Sequence, residues 1–201
     1  FDSMVLRGAG TTVTPLPDGR ALITGGKAIE VEVFDPDTST LSLMPVVLSP
    51  RERNSVTLLR DGRLMIAGGT DDTGALNTVE ILDPDAGEVT LASLSLPRAG
   101  HTATALLDGR VLLAGGTDGA SELNSFEVWI PETNLFQLLP STLKDARQNH
   151  TAILSETNGI VVITGGSALS QPIATSELFD PSSDSLQPAG SLTAARADIP
   201  G

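Results

Sequence analysis

Two histidines and a recurring arginine are the residues of this chain best suited to chemistry. The pattern Arg-x-x-His occurs twice, as Arg98 with His101 and as Arg147 with His150. Imidazole serves as a general acid, a general base or a metal ligand, and guanidinium holds carboxylates in bidentate pairs. The two histidines could share a metal only if neighbouring parts of the fold brought them together. Because the pattern recurs, a role in the scaffold is the simpler interpretation.

The composition excludes several kinds of active site. The chain has no Cys and no Tyr, so disulfides, thiolate metal sites and cysteine nucleophiles are ruled out. Two histidines cannot form a three-histidine metal site, and no nucleophile elbow is present in the sequence. Asp71 and Asp72 lack a loop that would offer the roughly six to eight oxygen ligands of a calcium site. We therefore expect no metal and no cofactor, and we favour a non-catalytic role.

The charge balance limits the possible partners. The chain has 12 Lys and Arg against 25 Asp and Glu, a net charge of −13. A surface this acidic repels phosphate backbones and anionic lipids, so nucleic-acid binding is not expected. The longest apolar stretch, 160–163, is far shorter than the ~20 residues of a membrane-spanning helix, which predicts a soluble protein. The compartment is left open, with a secreted or periplasmic location among the options. Because the chain begins with Phe1, we expect a processed form or a fragment.

The elements that must position these residues come from an internal repeat. Pairs of glycines recur at intervals of 43, 47 and 50 residues. We expect structural roles for these glycines and for one glutamate downstream of each pair: Gly25, Gly26 and Glu32; Gly68, Gly69 and Glu80; Gly115, Gly116 and Glu127; Gly165, Gly166 and Glu177. The predicted repeats are 5–49, 50–96, 97–145 and 146–194, and 195–201 resembles the start of another.

Each repeat divides into four short strands, which we call a to d. Strand a is exemplified by 101–107, and an Asp-Gly or Asn-Gly dipeptide predicts a two-residue type I′ turn after it. Strand b, 111–114 in the third repeat, is almost entirely apolar, as expected when both faces are covered. An Asp-Pro turn then joins strand c to strand d in three of the repeats. Four antiparallel strands at this period predict the blades of a β-propeller, whereas a β-sandwich would not require so regular a repeat.

The sequence resembles the kelch-repeat family. The resemblance rests on the glycine pair after an apolar strand, the large apolar residue before the turn (Phe34, Trp129 and Phe179, but Leu82 in the second repeat) and an apolar residue beyond that turn. The Asp-Gly-Arg segments are closer to bacterial kelch-like proteins than to animal ones. The resemblance implies an all-β propeller of four-stranded antiparallel blades, of which four are visible, so a larger or oligomer-completed propeller is expected. It also implies that loops around the central channel hold a protein or peptide.

Strand direction predicts which loops form that surface. The d-to-a and b-to-c loops share one face of the propeller, which we call the loop face. Its candidate binding residues are Arg51, Arg53, Asn54, Asp71, Arg98, His101, Asp118, Arg147 and His150. We therefore predict an interaction platform for a protein or peptide. The alternatives are a carbohydrate-directed enzyme or lectin like the kelch-fold sialic-acid mutarotases, and a structural subunit completed by self-association or by a further chain. Galactose oxidase chemistry is excluded because it needs Tyr and Cys.

The four recurring glutamates need partners. Two sets of arginines are available, the turn arginines Arg20, Arg63 and Arg110 or the Arg98 type. The fourth repeat has Ile160 in place of the turn arginine and still has Glu177. The turn arginines are therefore not obligatory partners.

Overall fold

The computed structural model of the chain describes residues 5–8 and 10–197. These residues form twenty strands, and they contain no helix that could cross a membrane. The first sheet contains β1 (Thr11–Pro15), β2 (Ala21–Gly25), β3 (Glu30–Asp35) and β4 (Thr40–Val47). The second contains β5 (Ser55–Leu58), β6 (Leu64–Ala67), β9 (Thr78–Asp83) and β10 (Glu88–Ser93), with the small hairpin β7 (Thr70–Asp71) and β8 (Gly74–Ala75) inserted.

The other two sheets repeat this plan. The third contains β11 (Thr102–Ala105), β12 (Val111–Ala114), β13 (Ser125–Ile130) and β14 (Leu135–Thr142). The fourth contains β15 (Thr151–Leu154), β16 (Val161–Thr164), β19 (Thr175–Asp180) and β20 (Ser185–Ser191), with the hairpin β17 (Ser167–Ala168) and β18 (Gln171–Pro172) inserted. In every sheet the four long strands are antiparallel and adjacent in chain order. Four such blades confirm the predicted all-β propeller fold.

The hydrophobic cores lie between successive sheets. Side chains alternate along strand b, so β6 faces two neighbours at once. Its Leu64 and Ile66 pack into the core shared with the first sheet, whereas Met65 and Ala67 pack into the core shared with the third. A third core, containing Phe126 and Phe179, joins the last two sheets. Each sheet is therefore stabilised by burial against its neighbours.

The inner strands lie next to one another along one side of a channel. Strand β5 contacts both β1 and β11, and β11 also contacts β15, so the strand-a positions of all four blades lie side by side. The d-to-a loops also pair with the b-to-c loops. Bridges join Glu52 to Thr70, Ala99 to Thr117 and Gln148 to Ser167. This pairing places both kinds of loop on one face of the propeller.

The Asp-Gly turns differ from the expected type I′. In the third blade Gly109 N–H donates to Leu106 C=O at 3.1 Å, and Leu106 N–H donates to Arg110 C=O at 2.8 Å. The loop is therefore three residues long, and within it only Gly109 has a positive φ, of 91°. This is a type I turn followed by a left-handed glycine. It also explains why strand a ends at Ala105 and not at Leu107.

Candidate functional site

Three of the four predicted loop-face arginines are buried, not displayed to solvent. Arg51, Arg98 and Arg147 have 0–1% exposure. Their Nη2 atoms lie 2.8, 2.7 and 2.9 Å from carboxylate oxygens of Glu80, Glu127 and Glu177, respectively. The partners of the recurring glutamates are therefore the arginines equivalent to Arg98, and not the turn arginines. The turn arginines instead pair with the aspartate of their own turn: Arg20 with Asp18, Arg63 with Asp61 and Arg110 with Asp108.

Two of the buried arginines, Arg98 and Arg147, connect two blades. Arg98 C=O accepts a hydrogen bond from Gly69 N–H of the second blade at 2.9 Å. Its Nη1 donates to Gly115 C=O of the third blade at 2.8 Å, while Nε and Nη2 donate to Glu127. Burial lowers the pKa of Arg98, and the charge of Glu127 opposes that shift. A guanidinium this deeply buried cannot also contact a ligand. The structure therefore gives these three arginines a role in the scaffold of the fold and not in binding.

Arg7 is a fourth member of this set that the sequence reasoning missed. Its Nε donates to Glu32 Oε2 at 2.9 Å, and its Nη1 donates to Gly25 C=O at 3.0 Å. The spacing from arginine to the first glycine of the pair is 18 residues here and 17 or 18 in the other blades. That spacing would have identified Arg7 from the sequence.

The two histidines occupy equivalent buried positions on the channel wall. His101 Nε2 lies 2.9 Å from Ser55 Oγ, and His150 Nε2 lies 3.0 Å from Thr102 Oγ1. Each histidine thus shares a hydrogen bond with the inner strand of the preceding blade. Burial, assisted by the nearby arginine charge, lowers the pKa of both imidazoles to about 3, so both are neutral near pH 7. Within residues 5–8 and 10–197 no group of three potential ligands could hold a metal.

Asn54 takes the corresponding position in the second blade, where it is partly exposed. Together with the histidines it lines a cavity of about 280 Å³ on the channel wall. The remaining walls come from the inner strands, and they include the hydroxyls of Ser55 and Thr102. The cavity is thus uncharged and rich in hydrogen-bonding groups.

Arg53 is the predicted loop residue that does reach solvent. Its backbone is left-handed, with φ 57°, and the equivalent residues Gly10, Gly100 and Asn149 also have positive φ. Gly100 N–H donates to Arg53 C=O at 2.9 Å, and Asn149 N–H donates to Gly100 C=O at 2.8 Å. This backbone chain curves around the channel mouth. A Cβ added at Gly100 would lie 2.5 Å from Asn149 Oδ1 and 2.8 Å from Arg53 Nη2, so a side chain there would displace the ends of these two side chains.

The Arg53 side chain is held across the mouth by residues of another blade. Its Nη2 donates to Gln148 Oε1 at 2.5 Å and to Asn149 Oδ1 at 3.4 Å. Gln148 Nε2 in turn donates to Glu122 Oε1 at 3.2 Å. This network, which we call the mouth network, is made of Arg53, Gln148, Asn149 and Glu122. Glu122 was not among the predicted site residues, because a single acid in a variable loop has no distinguishing pattern.

The predicted acids of the loop face stabilise their own turns. Asp71 Oδ1 accepts hydrogen bonds from the N–H and the hydroxyl of Thr73. Asp118 Oδ1 accepts from the N–H groups of Ala120 and Ser121, both at 2.8 Å. These bonds favour the ionised form and lower the pKa of both aspartates. Their charges remain at the rim of the loop face, outside the mouth network.

Comparisons with known proteins agree with the four-blade geometry. Residues 97–142 match the kelch motif. The fold resembles a solved structure titled "Structure of YjhT" with a TM-score of 0.78 and 10% sequence identity, over 98% of this chain and 69% of that one. No curated protein matches the chain in sequence. The buried arginine–glutamate pair recurs in all four blades, and the third blade alone spans the matched motif. Residues 97–142 therefore form a kelch motif, within a chain folded as four β-propeller blades.

Proposed function

We propose that the loop face binds a protein or peptide partner at the channel mouth, with Arg53 as the main contact. The observation that carries this proposal is the contrast between Arg53 and its neighbours. Three neighbouring arginines are buried in the fold: Arg51, Arg98 and Arg147. Arg53 is exposed and lies over the channel mouth. A non-glycine residue in the left-handed region costs about 1–2 kcal/mol. Such strain is common at binding sites, where the surroundings hold the residue in place.

The free donors of Arg53 indicate the chemistry of the ligand. Its described hydrogen bonds all use Nη2, which leaves Nε and Nη1 for a partner. A guanidinium edge suits a carboxylate, and the amides of Gln148 and Asn149 lie beside it. The rim also carries the acids Glu52 and Asp72, which outnumber the one lysine beside them, Lys27. A peptide with one carboxylate flanked by lysine or arginine therefore fits better than a uniformly acidic one.

Fluorescence anisotropy with three labelled peptide pools tests this proposal. The pools contain random peptides with acidic, mixed or basic charged positions, and each is titrated with the wild-type protein and with Arg53→Gln. We expect the mixed pool to bind best, and we expect Arg53→Gln to weaken that binding about tenfold. Arg60→Gln is the matched control, because Arg60 is exposed in a turn on the opposite face. The proposal is overturned if Arg53→Gln binds the mixed pool as tightly as Arg60→Gln does, or if no pool binds.

The channel cavity favours a second candidate, a small polyhydroxylated ligand such as a sugar. Its lining of hydroxyls, an amide and neutral imidazoles offers hydrogen bonds without charge. The related catalytic hypothesis is that the protein interconverts sugar anomers. NMR of freshly dissolved sugars, with and without the protein at pH 7, tests it. If the approach to anomeric equilibrium is not faster with the protein, the catalytic hypothesis fails.

A further inference from the structure

A cavity of about 640 Å³ lies between the third and fourth sheets, at the outer end of the blades. Its walls come from β19, from β20 and from the loop that follows β14. Strand β20 is the edge of the fourth sheet opposite to β15, which lines the channel. The cavity therefore shares no lining residue with the channel cavity. Its volume is typical of small-molecule sites, which span about 300–1,000 Å³.

The cavity exists because the side chains at this interface are small. Opposite the recurring glutamate, strand d carries Leu138 in the third sheet and Pro188 in the fourth. Two positions earlier, Phe136 in the third sheet corresponds to Leu186 in the fourth. Phe136 packs against the core between the second and third sheets. Smaller side chains at both positions leave space beside β20.

The loop after β14 places a carboxylate on the wall of this space. Asp145 lies two residues before Arg147, the position that Leu96 takes before Arg98. Asp145 Oδ2 accepts a hydrogen bond from Thr175 Oγ1 at 3.0 Å and lies 3.9 Å from Arg147 Nη2. The Asp145 side chain is 36% exposed, and none of the described hydrogen bonds uses its Oδ1. This oxygen is therefore available to a donor group of a ligand.

The buried arginine fixes the orientation of Asp145. Arg147 Nη2 donates to Thr175 Oγ1 at 2.9 Å, so the threonine hydroxyl directs its own proton to Asp145. The equivalent hydroxyl in the third sheet, that of Ser125, has Leu96 in the place of this acid. The carboxylate is thus held in one position before a ligand arrives, which lowers the entropic cost of binding.

A lysine and an apolar wall complete the cavity. Lys144 is exposed, and its backbone N–H donates to Glu177 Oε2 at 3.0 Å. Within residues 5–8 and 10–197, no carboxylate forms a salt bridge with Lys144 Nζ. Leu186 and Ala189 line the same cavity from β20. One carboxylate oxygen, one ammonium group and an apolar surface are therefore all available in a single cavity.

We propose that this cavity binds a free amino acid with an apolar side chain. The ammonium group of the ligand donates to Asp145 Oδ1, and its carboxylate pairs with Lys144. The apolar side chain lies against Leu186 and Ala189. A zwitterion pairs both charges of the cavity at once, whereas an amine or a carboxylate alone leaves one of them unpaired. The net charge of −13 also disfavours a ligand that is only an anion.

NMR titration of the full chain tests this proposal. L-valine, L-leucine and L-phenylalanine are each added while the backbone amide shifts of Leu186 and Ala189 are followed. We expect at least one of the three to give saturable shifts at these amides. The N-acetyl form of that amino acid lacks the ammonium group, and the amide form lacks the carboxylate. Each should bind about tenfold more weakly than the free amino acid.

Variants of the cavity locate the site. Asp145→Asn and Lys144→Gln should each weaken binding about tenfold, because each removes one charged contact. Pro188→Leu introduces the residue found at the equivalent Leu138, and it should abolish binding by filling the cavity. Asp37→Asn is the matched control, because Asp37 is exposed in a turn outside the cavity. Urea unfolding of every variant verifies that it is folded.

Four results would overturn the proposal. The first is the absence of saturable shifts with all three amino acids. The second is an N-acetyl form that binds as tightly as the free amino acid, a comparison that uses only the wild-type protein. The third is equal binding by Asp145→Asn and Asp37→Asn. The fourth is a set of shifts confined to the amides of Arg53 and Gln148, because the amino acid would then bind at the channel mouth.

Discussion

Arg98 Nη2 lies 2.7 Å from Glu127 Oε1, and neither side chain is exposed to solvent. The two residues are 29 positions apart, with Arg98 in the loop before the third sheet and Glu127 in strand β13 of that sheet. Arg98 C=O also accepts a hydrogen bond from Gly69, so one residue joins the second sheet to the third. A charge this deeply buried is tolerated only while it is paired and hydrogen-bonded. The pair is therefore a point at which a small chemical change should have a large effect on stability.

Removal of one member of this pair should destabilise the protein strongly. We expect Arg98→Ala to lower the free energy of unfolding by about 3–5 kcal/mol, because Glu127 would keep a buried, unpaired charge. Urea denaturation measures the change. Asp61→Asn is the matched control, because the Asp61–Arg63 pair is exposed and should contribute less than about 1 kcal/mol. A similar small loss for both variants would contradict the structural role of Arg98.

Equivalent phenylalanines in different blades should differ in their contribution to the free energy of unfolding. Phe179 is fully buried between the third and fourth sheets, whereas Phe34 is 40% exposed because no described blade covers its face of the first sheet. We expect Phe179→Ala to cost about 3–5 kcal/mol and Phe34→Ala less than about half of that. Thermal or urea unfolding of the two variants tests this. Equal losses would show that the face around Phe34 is buried in solution.

The first glycine of each pair should not tolerate a side chain. Gly68 has φ 59°, and an added Cβ would clash with the backbone C=O of Arg98. Gly62 also has a positive φ, but an added Cβ there meets no atom within 4 Å. Gly62→Ala should therefore cost about 1–2 kcal/mol from backbone strain alone. We expect Gly68→Ala to lower the free energy of unfolding clearly more, because the C=O of Arg98, which joins the two blades, must also move. Equal unfolding midpoints for the two variants would refute this difference.

The buried histidines should make stability depend on pH. Both have a pKa lowered to about 3, whereas an imidazole in the unfolded chain has a pKa of about 6.5. Their contribution is present in full above pH ~6.5 and is lost as the pH falls from there toward 3. In that window each imidazole should raise the unfolding equilibrium constant about tenfold per pH unit, because only the unfolded state takes up the proton.

Urea denaturation between pH 7.5 and pH 5 measures this effect. Carboxylates of the unfolded chain titrate at lower pH, so the histidines dominate this range. His101→Asn, which introduces the residue found at the equivalent Asn54, should reduce the slope to that of His150 alone. A slope that is the same with and without His101 would show that His101 is accessible to protons in the folded state.

Local patterns in the sequence were sufficient for the fold. The residues 111–114 were expected to form a doubly covered strand, and β12 has those bounds with all four side chains buried. Such predictions succeed because strand alternation and turn residues act over a few positions, and because the repeat spacing can be read directly along the chain. The type of the Asp-Gly turn was mispredicted. The sequence Leu107-Asp108-Gly109 is compatible with either turn, and the hydrogen bond between Leu106 and Arg110 selects the longer loop.

The roles of the loop arginines could not be derived in the same way. Arg51 and Arg53 are two residues apart in one loop, yet Arg51 is buried against Glu80 while Arg53 crosses the channel mouth to Gln148. The sequence by itself determined that arginines and acids recur at fixed places in each repeat. Only the tertiary structure decided which guanidinium is buried and which is exposed. The reason is physical, because burial and pairing depend on groups up to 96 positions away that only the packing of the blades brings into contact.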